Sequence, residues 1–208
     1  MNDIIIRKGK PEDAQDFSQL LLFTGPMLLL YLFGSNVRNI MKNLFQHTKN
    51  YFGFEHSYFV ELNDKIAGMA LAYDYKQKKQ ESLHMGLLLL KYLKWSFFTR
   101  ITYLLKLEYG KIRKSECYLS NIAVYPEFRG LGLGKKLLEV IEKEARKAGN
   151  KRIVLDVEID NKKAIRLYES FGYKIEKKWS ILKIKDKYFK YLKMSKDIGK
   201  IAISPEQY

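Results

Sequence analysis

The stretch Ile122-Ala123-Val124-Tyr125-Pro126-Glu127-Phe128-Arg129-Gly130-Leu131-Gly132-Leu133-Gly134-Lys135-Lys136 decides how this chain is read. It joins an apolar, β-rich run, Cys117–Val124, to a segment from Lys135 to Ala148 whose Leu137, Leu138, Ile141 and Ala145 recur at helical spacing. Three alternate glycines between strand and helix bring backbone N–H groups close to an anion, and the helix N-terminus adds a favourable dipole. A pyrophosphate suits such a loop. Two better-known glycine loops fail here. A Walker loop needs glycine, four residues, then Gly-Lys-Ser/Thr, but Arg129 takes the first position and Lys136 the last. The dinucleotide fingerprint needs G-x-G-x-x-G, whereas Gly130, Gly132 and Gly134 are evenly spaced.

Working outward, Gly149-Asn150 stops the helix, Ile153–Val157 reads as a buried strand, and Lys162–Phe171 as a helix closed by Gly172. Tyr173–Trp179 and Tyr188–Met194 read as further strands. Upstream, Ile4–Ile6 is a short strand, and Pro11-Glu12-Asp13 starts a helix with Phe17, Leu20, Leu21 and Phe23 on its apolar face. Gly25-Pro26 interrupts that helix, and 36–50 reads as a second one. Ser57–Leu62 and Ile66–Tyr73 are strands joined by Asn63-Asp64, a hairpin signal. Residues 83–108 are helical, strongly apolar and too charged to span a bilayer. Three readings of 83–108 stay open: a helix or helix pair covering the sheet or substrate site, an interfacial membrane helix, and a dimer contact. No repeat or linker divides the chain, so 1–208 is expected to be a single domain.

Composition narrows the function classes. With 208 residues, 47% hydrophobic and 14% aromatic, the chain can bury a core and is not disordered. One cysteine, Cys117, excludes a disulfide framework and a Cys-based zinc site. His47, His56 and His84 lack ligand-like spacing, so no metal is expected. The start, MNDIIIRKGKPED, has no signal-peptide core, which predicts a cytoplasmic protein. The net charge of +15 suggests an anionic partner. All of it comes from two segments, 76–114 at +8 (ten basic, two acidic) and 174–196 at +7 (nine basic, two acidic). No helix-turn-helix, RNA-recognition or zinc signature accompanies them, so nucleic acid is not the expected partner.

The quoted stretch resembles the acetyl-CoA-binding motif of the GNAT superfamily of N-acetyltransferases, Gln/Arg-x-x-Gly-x-Gly/Ala. Asp160-Asn161-Lys162-Lys163-Ala164-Ile165-Arg166-Leu167-Tyr168-Glu169-Ser170-Phe171-Gly172-Tyr173 is similar to its second block, Asn-x-x-Ala-x-x-x-Tyr-x-x-x-Gly-Phe/Tyr. The resemblance covers 117–179 closely. It implies an α/β (α+β) GNAT fold: a central mixed, mostly antiparallel sheet of about 6–7 strands flanked by helices, with 83–108 as an extra helical insertion. It also implies transfer of acetyl from acetyl-CoA to a primary amine in a ternary complex, without a covalent enzyme intermediate. The main chain of Ile122, Ala123 and Val124 would pair with the pantetheine arm. Arg129, Gly130, Leu131, Gly132, Leu133 and Gly134 would hold the pyrophosphate. Lys135 would either add charge or lie on the solvated surface.

By the same resemblance Asn161 contacts the pantetheine region; the residue type equally suits an N-cap of the next helix. Tyr168 lies seven residues on, two turns along the same face. It matches the general acid that protonates the departing thiolate, a role suited to a phenol protonated at pH 7. As an alternative, Tyr168 is simply core. The base that takes the amine proton has two candidates. Asp156 occupies the position of a glutamate in the ribosomal-protein alanine N-acetyltransferases, and Glu116 lies on the strand that carries the base in histone-type members. Alternation puts Glu116, Tyr118 and Ser120 on one face, which allows a water relay. Either acid can instead be structural. Residues 116–173 carry a net charge of only +2 (eleven basic, nine acidic). CoA therefore does not explain the surplus, which points to an acidic or carrier-presented acceptor, or a docking surface.

Overall fold

A computed structural model describes residues 3–100, 110–179, 181–184 and 186–199. Strands β1 (Ile4–Lys8), β2 (Ser57–Leu62), β3 (Lys65–Asp74), β4 (Glu116–Val124), β5 (Arg152–Glu158), β6 (Lys174–Lys178) and β9 (Tyr191–Asp197) form one sheet in the order β1-β2-β3-β4-β5-β9-β6. Every neighbouring pair is antiparallel except β4 and β5. Strands β7 (Leu182–Ile184) and β8 (Lys187–Phe189) make a separate hairpin. Asn63 and Asp64 turn β2 into β3 with φ of 49° and 59°, the two left-handed residues that a two-residue hairpin loop requires.

Alternating side chains give the sheet two apolar faces. Phe59, Met69 and Leu71 pack with α1 (Ala14–Leu22), α3 (Val37–Gln46) and their residues Phe17, Leu20, Met41, Leu44 and Phe45. Tyr58, Val60, Ala70, Leu119, Ile153 and Leu155 pack on the opposite side with Leu137, Leu138 and Ile141 of α5 (Leu133–Lys147). Tyr168 of α6 (Lys162–Ser170) joins this second cluster.

The feature that positions the site is where β4 and β5 part. Their pairing runs from Glu116↔Arg152 to Leu119↔Leu155 and stops. Beyond it β4 follows β3 as far as Val124↔Gly68, and β5 follows β9 as far as Glu158↔Tyr191. A bulge at Ser120, skipped between Leu119↔Ala72 and Asn121↔Leu71, turns β4 away. A Cβ at Gly68 would sit 2.6 Å from the Ala123 carbonyl oxygen, so β3 can approach this part of β4 only through glycine.

Three elements depart from the sequence reading. Pro26–Phe33 is a helix in its own right, α2, because Pro26 suits a first helical position while Gly25 breaks the chain direction. The helix expected over 83–108 is α4 (Tyr75–Leu93) and starts directly after β3. Asp74 accepts from Gln77 N at 2.8 Å while the Gln77 side chain accepts from Asp74 N at 2.8 Å, a capping box. α4 ends at Lys94 with φ of 50°, and residues 101–109 of the expected helix lie outside the described residues. The single strand expected over Tyr188–Met194 is split at Lys190, because β8 pairs with β7 while β9 joins the main sheet. Leu83 and Trp95 are 77% and 87% exposed, so part of the insertion's apolar surface faces outward. Among the described residues no single helix is long and apolar enough to cross a membrane.

Candidate active site

The gap between β4 and β5 opens into a cavity of about 740 Å³. One half is lined by Ile122, Ala123 and Val124 of β4, Gly134 of α5, and Asn161, Leu167 and Tyr168 at and on α6. Past Leu119 the β4 edge facing β5 has no strand partner, so its peptide groups can pair with an extended ligand. In the loop that leads to Gly134, Gly130 and Gly132 have φ of 85° and 74°, and Gly132 is the N-cap residue of α5. No atom lies within 4 Å of a Cβ built at either, so left-handed backbone rather than crowding demands glycine there.

The side chains around the loop are tied down away from it. Arg129 Nε donates to the Val124 carbonyl at 3.1 Å, with its guanidinium 5.9 Å from the Phe23 ring centroid. Leu133 is buried in the core, Leu131 is exposed, and Lys135 Nζ lies 5.5 Å from the Phe171 ring centroid. The chain therefore offers main-chain donors for the pyrophosphate of CoA and an open strand edge for its pantetheine arm. That fits the group the sequence implies. Asn161 does cap α6, its Oδ1 accepting from Ala164 N at 3.2 Å, and it also lines the cavity. The two sequence readings of Asn161 are compatible.

Asp156 sits in the same cavity. Its Oδ2 accepts from Gly110 N at 2.8 Å and from Tyr118 Oη at 3.0 Å, and its Oδ1 from Trp179 Nε1 at 2.5 Å. Burial nevertheless raises its carboxyl above the ordinary value of 3.8, outweighing the three donors. Burial likewise lowers the Lys78 ammonium, whose Nζ donates to the Gly110 carbonyl, and raises the phenols of Tyr73 and Tyr118. The three donors hold the carboxylate in place and lower its pKa, and burial raises it by more.

Tyr168 lines the cavity from the other side, 7% exposed, its ring 5.8 Å from that of Tyr173. Burial alone raises its phenol, which stays protonated across the working range of pH. Being core and facing the ligand are not exclusive here. Glu116 does not share this placement: it lines no part of the cavity. It is 4% exposed at the start of β4, accepts from Arg113 N at 2.7 Å, and lies 3.8 Å from Arg152 Nη1. Glu116 lies at the closed end of the β4–β5 join beside Arg152, while Tyr118 and Ser120 line the cavity. Cys117 is buried and its thiol is pushed up to about 12, far from thiolate chemistry at neutral pH. Among the described residues no three His, Cys, Asp or Glu side chains form a metal-holding group.

Sequence reasoning passed over Trp179, Gly110, Lys78 and Tyr73, which surround Asp156. Only the position of Trp179, closing the strand after the Tyr168 helix, hinted at it. The wall opposite the cofactor half is apolar and is built by α2 and α4.

The described architecture agrees with known proteins. A family model described as the acetyltransferase (GNAT) family matches residues 38–173. The [ribosomal protein bS18]-alanine N-acetyltransferase of Escherichia coli (strain K12) is 45% identical over 58 residues, 28% of this chain and 39% of that protein. An uncharacterized N-acetyltransferase of Bacillus subtilis (strain 168), YdgE, is 33% identical over 60 residues, 29% and 38% of the two chains. The chain thus spans about two fifths of the length of these curated relatives. An N-acetyltransferase structure from Staphylococcus aureus Mu50 superposes with a TM-score of 0.64 at 22% identity, covering 92% of this chain and 99% of that one. The putative acetyltransferase yncA from Salmonella typhimurium, solved with its cofactor acetyl-CoA, gives 0.60 at 15% identity, covering 99% of both.

Proposed function

This chain belongs to the acetyltransferase (GNAT) family, and we propose that it is an N-acetyltransferase carrying acetyl from acetyl-CoA to a primary amine by direct attack in a ternary complex. One observation carries the reading: a half-buried carboxylate, Asp156, whose pKa is raised, and a buried phenol, Tyr168, face one cavity whose wall is the unpaired edge of β4. When bound, acetyl-CoA supplies an acetyl group already activated as a thioester. The main chain of Ile122–Val124 holds the pantetheine arm, the amides of the Arg129–Gly134 loop hold the pyrophosphate, and Asn161 orients the arm between them.

The remaining work is proton handling by side chains. An amine arrives mostly protonated at neutral pH, loses one proton to solvent to become the free base that attacks, and must lose a second as the amide forms. Asp156 takes the proton from the attacking nitrogen; its raised pKa makes it a stronger base than an exposed aspartate. Tyr168 keeps its phenolic proton and gives it to the leaving sulfur, whose thiolate near pKa 8.5 accepts it readily. The C–N bond forms as the C–S bond breaks. The proton on Asp156 leaves to solvent and Tyr168 regains one from solvent, so the enzyme returns unchanged.

Isothermal titration with acetyl-CoA and thiol release in the presence of a primary amine test the reading. Binding and amine-dependent release are expected. Absence of binding at millimolar acetyl-CoA would overturn it, and undiminished turnover in Asp156→Asn would remove Asp156 as the base.

A further inference from the structure

The half of the cavity opposite the cofactor wall is apolar. Phe23, Leu29, Leu32, Phe33, Met85 and Leu89, contributed by the end of α1, by α2 and by α4, line it, and its polar pole is the Asp156–Tyr118–Tyr73 corner. Among the described residues, the formal charges on the lining are two carboxylates, Asp156 and Glu158, and two ammonium groups, Lys78 and Lys111. Glu158 already accepts from Tyr191 Oη at 3.1 Å, and Lys78 is held by the Gly110 carbonyl. Among the described residues, little of the basic surplus that marks the sequence reaches this space. Among the described residues of 76–114 and 174–196, Lys78 and Lys111 are the basic ones on the lining, while Lys174, Lys177, Lys178, Lys183, Lys187 and Lys190 are exposed elsewhere.

From this we propose that the acceptor is a primary monoamine with an uncharged alkyl or aryl-alkyl body, its nitrogen at Asp156 and its body in the α2–α4 chamber. The inference rests on the acetyltransferase reading above and names the substrate class of that site. A polyamine or basic peptide would carry further cations into a largely apolar wall where, among the described residues, Glu158 is the one other carboxylate and already accepts from Tyr191, and the desolvation would not be recovered. An acidic or carrier-presented acceptor, the expectation drawn from the +15, would meet two carboxylates against two lysines on the described lining, with no net positive charge to receive it. An apolar body instead gains from leaving water along its whole length.

Gly86 provides the handle. It lies within α4, lines the cavity, and a Cβ built there meets nothing within 4 Å, so a larger side chain can occupy the chamber without moving the backbone.

The test is steady-state thiol release with the full chain and acetyl-CoA across ethylamine, butylamine, hexylamine and 2-phenylethylamine, with spermidine and an acidic peptide bearing a free N-terminus for comparison. Expected is a kcat/KM that climbs about 4-fold per added methylene. Gly86→Phe should then cut the hexylamine-to-ethylamine preference at least about tenfold, with acetyl-CoA titration confirming a folded cofactor site. Gly86→Leu serves if the larger residue impairs folding. A flat alkylamine series, or a preference for spermidine or the acidic peptide, overturns the inference and leaves the acetyltransferase reading standing. Failure to bind acetyl-CoA, with no turnover of any amine, overturns both.

Discussion

Replacing Tyr168 by phenylalanine separates chemistry from architecture at a single atom. The ring is 7% exposed, packs against Tyr173 and belongs to the cluster under α5, so Tyr168→Phe keeps every apolar contact. The hydroxyl draws its raised pKa from burial alone, with no hydrogen-bonding partner contributing. Its removal should therefore change stability by no more than about 0.5 kcal/mol, or roughly 2 °C in Tm for a chain of this size. Loss of a general acid costs about 10²–10⁴-fold, equivalent to about 2.7–5.4 kcal/mol of activation free energy. Tyr168→Ala should instead cost roughly 3–5 kcal/mol of stability by emptying the ring's volume. Single-turnover quench-flow at saturating acetyl-CoA and amine reads the chemical step apart from product release, and differential scanning calorimetry reads Tm. A Phe variant that binds acetyl-CoA and reacts within about 3-fold of the parent rate would show that Tyr168 is core only.

Four further outcomes follow from the same geometry. The kcat/KM profile should rise with pH through an apparent pKa above 3.8, and Trp179→Phe, which deletes a donor favouring the charged carboxylate, should move that limb further upward; an unmoved limb would mean another group titrates. Asp156 binds its proton more tightly folded than unfolded, so its contribution to stability is full below 3.8 and lost as pH rises through the folded value. The Tm of Asp156→Asn relative to the parent should accordingly increase from acid toward neutral pH, and a decrease would contradict the assigned burial. Glu116→Gln should lower stability by about 1–3 kcal/mol, because Arg113 N and Arg152 lose a buried acceptor, while kcat stays within about two-fold. A collapse of kcat with normal Tm would reinstate Glu116 as a base. Gly68→Ala should cost about 1–3 kcal/mol by forcing a Cβ against the Ala123 carbonyl, and should weaken acetyl-CoA binding in calorimetry because that carbonyl lies beside the cofactor edge.

The sequence by itself determined the cofactor half of this protein. Alternate glycines between a strand and a helix state a backbone conformation, and Gly130 and Gly132 adopt it. Asn161 and Tyr168, two turns apart, face one way by helical period alone, and both line the cavity. These are local relations, encoded within about fifteen residues, where spacing and φ preference carry the whole signal. The hairpin at Asn63-Asp64 was legible for the same reason.

The acceptor half was decided by tertiary structure. That Asp156 lines the cavity and Glu116 does not turned on where β4 parts from β5 and on an Arg152 thirty-six residues away from Glu116. The groups that hold Asp156 come from Gly110, Tyr118 and Trp179, which no sequence period links. Charge is the sharpest case. Summed along the chain it pointed to an anionic partner at the second substrate or a docking surface; among the described residues most of those lysines face outward, beside an apolar chamber. A net charge counts groups without placing them, and a substrate meets only the few that the fold leaves in its path.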